Sequence, residues 1–540
     1  MSFSRHLANT LELVTDVNPE EIAIIHGARE LSWGDFDRRA ARFAAALASS
    51  GINRGDVAAI AMYNCPEWLE VFYGILKQRA VPANINYRYR SAEMYHLLSD
   101  CSAAAVIYHA SLAAVIEPLR TSLPSVRLWV LVDDNGSTAA EDRQGYEALL
   151  AAHGPAPRQA RPEGEPYLSY TGGTTGLPRG VLYRLGLTTV VSHRFINTIF
   201  GKAYTGDSDP AIIARELYEA GQQLIALVAP PLMHSTGLAI TAIPTLAVGG
   251  TVVLLTKKSF DPHLTLAEIE RTGANRLTIV GDAFARPLLQ ALDEGRPGGE
   301  RYHCRSLRLI VSSGAALTAS TKAALLEQLP HSLIMESLGA TEGVSFGVKV
   351  SGAGDKLETG RFLASPGVIV VDEDFTPLPE QIGHAGLLAA PVITAGYFND
   401  AEKNAQTYRE IDGELYAAPG DYGRLEADGS LTLLGRGSGV INTGGEKVFA
   451  EEVEDVIKQL PGVLDCIVTG LADERFGQKV AALVQRSSEA TLRERDIETF
   501  VKRRLAGYKA PRHIVFVDSL PRGPNGKPDY SVVRELLASE

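Results

Sequence analysis

The sequence predicts an α/β protein in two parts: a large N-terminal domain of layered α/β sheets with a β-rich subdomain, expected over residues 1–435, and a small mobile α+β C-terminal domain over residues 436–540. Three observations predict this. Short apolar runs alternate with longer amphipathic stretches from about residue 20 to 130, the βαβ rhythm of parallel sheets covered by helices. That rhythm thins between Gly360 and Leu434. The last hundred or so residues then read as a separate unit, and 540 residues are too many for one simple core at roughly 150 per domain.

In chain order, Trp33–Ser49 is an amphipathic helix, and Val57–Ala61 and Ala104–Tyr108 are strands. A polar, Gly- and Pro-bearing interval from Asp133 to Pro166 precedes a second apolar series, with strands expected at Leu224–Val228, Thr251–Leu255, Leu277–Val280 and Leu307–Val311. The uncharged stretch Leu238 to Leu255 has nearly the length of a membrane span, but Pro244 and the pair Gly249–Gly250 divide it, so a buried helix, turn and strand are expected. Val368–Val371 and Leu431–Leu434 are short strands between turn residues. In the last part, Val453, Val456, Ile457 and Leu460 make one helical face and Ile497, Phe500, Val501 and Leu505 another, with strands at Asp465–Thr469, Val480–Val484 and Ile514–Val517. The run Gly435–Arg436–Gly437–Ser438–Gly439 is the hinge candidate.

Composition narrows the function. Hydrophobic residues at 45% and charged residues at 21% are ordinary for a folded enzyme. The net charge of −12 opposes nonspecific attraction to nucleic acid or anionic lipid, so nucleic-acid binding is not expected, and the divided stretch Leu238 to Leu255 leaves no stable membrane insertion expected. The four cysteines stand far apart with no CxxC pair, which suits a reducing cytoplasm and indicates neither a zinc site nor a disulfide framework. The N-terminal residues lack the pattern of a secretory signal, so a cytoplasmic protein is expected.

The most informative segment is Tyr170 to Gly180, with sequence YTGGTTGLPRG. Glycines let backbone N–H groups approach anionic oxygens closely, threonine hydroxyls donate further hydrogen bonds, and Arg179 supplies charge. The segment is built to meet phosphate, yet it matches neither the P-loop nor the dinucleotide G-x-G-x-x-G pattern.

TGGTTGLPRG resembles the phosphate loop of the AMP-forming adenylating superfamily, which comprises acyl-CoA synthetases, luciferases and peptide-synthetase adenylation domains. Further family-like blocks follow in order: Pro231 to Gly237, Ser313 to Leu317, Gly339 to Glu342, Gly420–Asp421, Leu434 to Arg436, Gly444 to Lys447, and Pro521 to Lys527. The resemblance covers about Ile22 to Tyr530, and Tyr63 to Glu67 with Val81 to Tyr89 resemble bacterial fatty-acyl and steroid-acid CoA ligases.

The resemblance implies site roles. Thr171, Gly172, Gly173, Thr174, Thr175, Gly176 and Arg179 would cradle ATP phosphates; Gly314, Ala315, Ala316, Leu338 and Gly339 would border the nucleotide. Thr341 would meet the α-phosphate and Glu342 would hold Mg²⁺, whereas a Thr-Glu pair alone is commonly a helix N-cap. Asp421 would accept the ribose hydroxyls and Arg436 would secure the ribose or phosphate side. Lys527 would bridge the substrate carboxylate and the α-phosphate, and the Gly444–Gly445 loop would replace it when the small domain rotates to admit the CoA thiol. His234 stands either as a gate beside the acyl pocket or as a hydrogen-bonded core residue. Lys502, Arg503, Arg504, Lys509 and Arg512 either meet CoA phosphates or form a solvated face.

Three positions depart from the family pattern: Arg179 for lysine, Leu338 for an adenine-stacking tyrosine, and Ser438 for the hinge aspartate. Arginine keeps the cation with a different reach, and leucine keeps apolar contact without aromatic stacking. The expected enzyme is an ATP- and Mg²⁺-dependent carboxylic acid:CoA ligase acting on a fatty or steroid-derived acid, with a homodimer compatible with the resemblance. The competing expectations are an acyl-AMP ligase that loads a carrier protein and a nucleotide-binding regulatory protein without catalysis.

Overall fold

The apolar runs become strands because helices cover both faces of the sheets they build. Val57–Ala61 is buried at every position, as expected of a parallel strand sandwiched between helical layers. The helix Trp33–Ser49 starts at Ser32, whose hydroxyl accepts from the Asp35 N–H, and buries Trp33, Phe36, Ala40, Phe43, Ala44 and Leu47 at helical spacing. The structure is a computed structural model that describes residues 6–134, 144–171, 178–184, 192–443, 446–473, 477–487, 490–523 and 528–539.

The fold is α/β, with three sheets among the described residues. A sheet of eight strands contains Val57–Ala61, Val81–Asn84, Pro166–Thr171 and Arg179–Arg184. A sheet of fifteen strands starts with a parallel core of Ile22–His26, Thr251–Leu254, Ile225–Val228, Arg276–Ile279, Leu309–Ser313 and Leu333–Ala340. It continues antiparallel from Val344–Ser351 into the β-rich part, ending beyond Asp421–Leu425 and Ser430–Arg436. The third sheet, of five strands, holds Val440–Thr443, Val463–Asp473, Gly477–Arg486 and His513–Val517.

Leu238 to Leu255 forms a π-helical turn at Leu238–Ala242, an α-turn at Ile243–Leu246 and the strand Thr251–Leu254, as the dividing proline and glycines predict. Among the described residues no helix is long and apolar enough to cross a membrane. In the last part the two expected helical faces pack on the third sheet through Val453, Val456, Ile457, Ile497 and Val501. All four cysteines are buried and unbridged.

Strand Thr394–Tyr397 has the consequence for function. It leaves the β-rich part and pairs with Arg179–Arg184 of the eight-stranded sheet. The Phe398 N–H donates to the Gly180 carbonyl at 2.8 Å.

Candidate active site

Thr341 and Glu342 lie in the turn that joins strands Leu333–Ala340 and Val344–Ser351, a hairpin turn rather than a helix N-cap. The turn closes because Gly343 adopts φ +87° and its N–H donates to the Ala340 carbonyl at 3.1 Å. A side chain at Gly343 would overlap Thr394. Thr394 in turn donates its hydroxyl to the Glu342 carbonyl at 2.7 Å, and Tyr183 donates to the Thr341 carbonyl at 2.6 Å. Both backbone oxygens of the Thr-Glu pair are therefore held from the neighbouring sheet.

The Glu342 carboxylate is held on one side only. The Tyr397 hydroxyl donates to Oε1 at 2.5 Å, while Oε2 is buried without a hydrogen-bond partner. A buried carboxylate oxygen left unpaired is costly. A hard cation resolves it, and Mg²⁺ takes one or two protein carboxylates together with substrate phosphates. Among the described residues no group of three or more His, Cys, Asp or Glu converges to make a full protein cage. The donor set thus fits a cation shared with phosphate. Burial, reinforced by the charge of Glu342, pushes the Tyr397 and Tyr183 phenols up and that of Tyr408 to about 12. All three remain protonated donors.

The expected phosphate loop begins and ends on paired strands, for Thr171 stands opposite Arg179 in the ladder of Pro166–Thr171 and Arg179–Arg184. Gly172, Gly173, Thr174, Thr175 and Gly176 lie outside the described residues, as does the side chain of Thr171. Arg179 Nε donates to Asp400 Oδ2 at 2.8 Å, so this cation shares its charge with a carboxylate that also caps helix Ala401–Thr407.

Gly314, Ala315 and Ala316 follow strand Leu309–Ser313. Gly281, at φ +52°, packs so tightly on the Ala315 and Ala316 carbonyls that a Cβ would overlap them, and the Asp282 N–H donates to the Ala316 carbonyl at 2.9 Å. The Ser313 hydroxyl donates to the Ser337 carbonyl at 3.0 Å and ties this loop to the strand bearing half-buried Leu338 and exposed Gly339. Asp421 is buried and opposes Arg436 in the antiparallel ladder. The Arg436 side chain, Gly444, Gly445 and Lys527 lie outside the described residues.

His234 is half-buried at the start of the short helix Ser235–Gly237. Its turn is clamped by Asn64, whose side chain donates to the Pro230 carbonyl at 3.0 Å and accepts from the Leu232 N–H at 2.7 Å. Asn84 reaches the Met233 carbonyl at 3.4 Å. The two segments that carry the subgroup resemblance therefore brace the segment beside His234.

A cleft of about 920 Å³ opens between the two parts of the chain and reaches Val228 and Pro231, just before His234. Its walls carry Arg88, Lys257, Lys258, Arg286 and Arg522 alongside the carboxylates of Asp282, Asp293, Glu294 and Asp465, with Arg286 paired to Asp282 and Arg522 to Asp465. None of the five cations singled out between Lys502 and Arg512 lines it. Lys502 pairs with Glu498, and Lys509 with Glu452 at 2.5 Å. Sequence reasoning missed the cleft cations, which come from four separate segments, and also Tyr183, Thr394, Tyr397 and Tyr408. A tyrosine in a strand reads as ordinary core.

Comparison with known proteins supplies the frame for this geometry. The family described as AMP-binding enzyme matches residues 11–398, and the one described as AMP-binding enzyme C-terminal domain matches residues 452–527. A 3-oxocholest-4-en-26-oate–CoA ligase of Rhodococcus rhodochrous is 35% identical over 531 residues, covering 97% of this chain and 94% of that protein. A medium/long-chain-fatty-acid–CoA/3-oxocholest-4-en-26-oate–CoA ligase of Mycolicibacterium smegmatis is 33% identical and covers 98% and 96%. The crystal structure of ATP-bound MatB from Rhodopseudomonas palustris superposes with a TM-score of 0.82 at 25% identity, covering 98% of each chain.

Proposed function

This chain belongs to the AMP-binding enzyme family, and from that premise we propose that it joins a fatty or steroid-derived carboxylic acid to CoA. It is an AMP-forming acyl-CoA synthetase: ATP and the acid give an acyl-adenylate and pyrophosphate, and the CoA thiol then displaces AMP. The observation that carries the substrate class is the match, over nearly the whole of both chains, to ligases named for steroid and fatty acids. The bracing of the His234 segment by Asn64 and Asn84 supports it.

In the proposed mechanism Glu342 would hold Mg²⁺, its Oε2 being buried and unpartnered while Tyr397 fixes the carboxylate's other oxygen. When bound, the cation neutralises phosphate charge. Thr341 presents its hydroxyl to the α-phosphate, and Thr171 through Gly176 with Arg179 receive the outer phosphates. Gly314, Ala315, Ala316, Leu338 and Gly339 border the nucleotide, while Asp421 and Arg436 receive its ribose. Lys527 draws the acyl carboxylate and the α-phosphate together, a contribution of positioning and charge. His234 borders the acyl group, and the Gly444–Gly445 loop lines the path of pantetheine once residues 436–540 turn against residues 1–435. We assign the CoA entrance to the cleft that reaches Val228 and Pro231, with Arg88, Lys257 and Lys258 of its walls to meet the CoA phosphates. Such an enzyme works in the cytoplasm, where ATP and CoA are available, without stable membrane insertion.

The test is carboxylate-dependent exchange of labelled pyrophosphate into ATP, followed by thioester formation with CoA, across acetate, octanoate, palmitate, benzoate and a steroid side-chain acid. Highest kcat/KM with the long or steroid acids is expected. A preference for acetate or benzoate would remove the substrate assignment, and thioester formed only on a phosphopantetheinylated carrier would remove CoA as acceptor.

A further inference from the structure

Arg276 is a cation that the fold leaves uncompensated. It opens strand Arg276–Ile279 in the middle of the large sheet and is wholly buried. Among the described residues it has no ion pair. One N–H group donates to the Ile240 carbonyl, and the guanidinium lies over the Phe195 ring at 3.6 Å. Its Nε and Nη1 are buried without any hydrogen-bond partner. Two residues on, the hydroxyl of Thr278 is also fully buried and unpartnered. Residues two apart on a strand share a face, so donors from both side chains converge on one small region.

The surroundings point to what this region meets. On that face the neighbours are Leu309, Val311 and Met335 from the sheet and Phe195 from the covering helix, bordered by half-buried apolar residues including Ile240. Ile240 sits on the π-helical turn Leu238–Ala242, which follows His234; Ala239 and Ile240 are half-exposed while Leu238, Thr241 and Ala242 are buried. Such turns inside helices occur frequently at functional sites. At its other end the strand runs into Gly281, against Ala315 and Ala316. Arg276 and Gly281 are five residues apart, roughly 16 Å along a strand. The strand thus leads from a buried, unpaired cation at Arg276 to the Ala315–Ala316 loop, the expected border of the nucleotide.

We propose that Arg276, with Thr278 beside it, forms the distal end of the acyl-binding site and recognises a hydrogen-bond-accepting oxygen on the part of the acyl group remote from the reacting carboxyl. The assignment rests on the acyl-CoA ligase reading and deepens it: the preferred acid is apolar along its body and oxygenated at its far end. Nη1, Nε and the Thr278 hydroxyl supply three donors, and a ketone, a hydroxyl or a second carboxylate accepts them. Burial alone already pulls the Arg276 pKa down to about 9, so an acceptor arriving there relieves a poorly solvated cation. A plain hydrocarbon end leaves these donors unsatisfied, and a site built to hydrogen-bond its substrate rejects the analogue that lacks the oxygen.

The experiment compares kcat/KM within two pairs on the full chain with ATP, Mg²⁺ and CoA: a 3-oxo steroid side-chain acid against its 3-deoxy counterpart, and a long α,ω-dicarboxylic acid against the monoacid of equal length. At least one oxygen-bearing member is expected to lead its partner by about 10- to 100-fold, the worth of a hydrogen bond to a charged group. The pair that does so identifies the oxygen as neutral or anionic. Equal values within both pairs overturn the inference while leaving the ligase reading intact, whereas turnover of no acid overturns both. Arg276→Met should collapse the leading ratio to about one without lowering the melting temperature, because an unpaired buried cation is replaced by an apolar chain. An equal loss on all four acids marks Arg276 as merely structural and also overturns the proposal. Should that variant fail to fold, the wild-type ratios and Thr278→Val, expected to reduce the leading ratio severalfold, decide.

Discussion

The Tyr397 hydroxyl donates to Glu342 Oε1 at 2.5 Å and leaves Oε2 of the same carboxylate buried and unpartnered. Tyr397→Phe should therefore disturb the orientation of the proposed Mg²⁺ ligand without removing it. We expect the Mg²⁺ concentration for half-maximal ATP–pyrophosphate exchange to rise about 10- to 100-fold, the usual effect of deleting a partner of a metal ligand. Glu342→Gln, which removes the charge itself, should lower exchange by roughly 10³ even at saturating Mg²⁺. An unchanged Mg²⁺ dependence in Tyr397→Phe would separate the hydroxyl from the metal site.

Gly343→Ala tests the turn that carries Thr341 and Glu342. The added methyl would overlap Thr394 and would sit on a residue at φ +87°. Strain in the left-handed region and overpacking together should cost about 2–4 kcal/mol, read from the denaturant midpoint. Displacing Thr394 also removes a donor to the Glu342 carbonyl, so kcat/KM for ATP should fall in the fraction that remains folded. A loss of stability below about 1 kcal/mol would show that the hairpin accommodates a side chain here.

Why the Thr-Glu block was legible and its support was not follows from chain topology. Ordered short blocks single out Thr341 and Glu342 as candidates, but Tyr397 lies more than fifty residues on, in a strand that crosses to another sheet. Nothing in a four-residue run announces that crossing. The strand expected at Leu307–Val311 is Leu309–Ser313 for a similar reason. Ser312 accepts from the Gly281 N–H at 3.1 Å and Ser313 donates to the Ser337 carbonyl at 3.0 Å, so two hydroxyls are buried where apolarity alone would end the strand. Arg276 was hidden likewise, because an arginine beside an apolar run reads as its exposed boundary. The layered α/β class, by contrast, was readable because fully buried strands such as Val57–Ala61 must be apolar throughout.

His109 should make the protein sensitive to mild acid. The Tyr63 N–H donates to its Nδ1 at 3.1 Å and Cys65 Sγ lies 3.5 Å from its Nε2. Burial pulls its pKa from 6.5 to about 4, even though Asp134 nearby favours the charged form and Lys258 opposes it. Between these pH values the unfolded chain binds a proton that the folded chain refuses. Stability from this group is complete above about pH 6.5 and is lost as pH falls toward about 4, by up to roughly 3 kcal/mol. His109→Asn, which keeps an acceptor for Tyr63, should flatten unfolding free energy against pH over that window. Identical slopes in the two proteins would assign the acid sensitivity elsewhere.

The last prediction separates the two half-reactions. Lys527 and Gly445 lie outside the described residues, but the flanks of 524–527 are firmly tied. The Asp529 N–H donates to the Pro521 carbonyl at 2.9 Å, Arg522 bridges to Pro528, and Arg522 pairs with Asp465 at 2.8 Å. Anchored flanks would lower the entropic cost of positioning Lys527 if it acts as proposed. If Lys527 acts only in adenylate formation, Lys527→Ala should lose pyrophosphate exchange by roughly 10²–10³, as expected when a charge-stabilising donor is removed, while still converting supplied acyl-adenylate and CoA to thioester. Gly445→Leu should do the reverse, sparing exchange and obstructing the pantetheine path. The opposed lesions require that residues 436–540 present one loop at a time to a single site. Normal exchange in Lys527→Ala, or equal loss of both half-reactions in folded Gly445→Leu, would break that alternation, since one fixed arrangement would then be serving both steps.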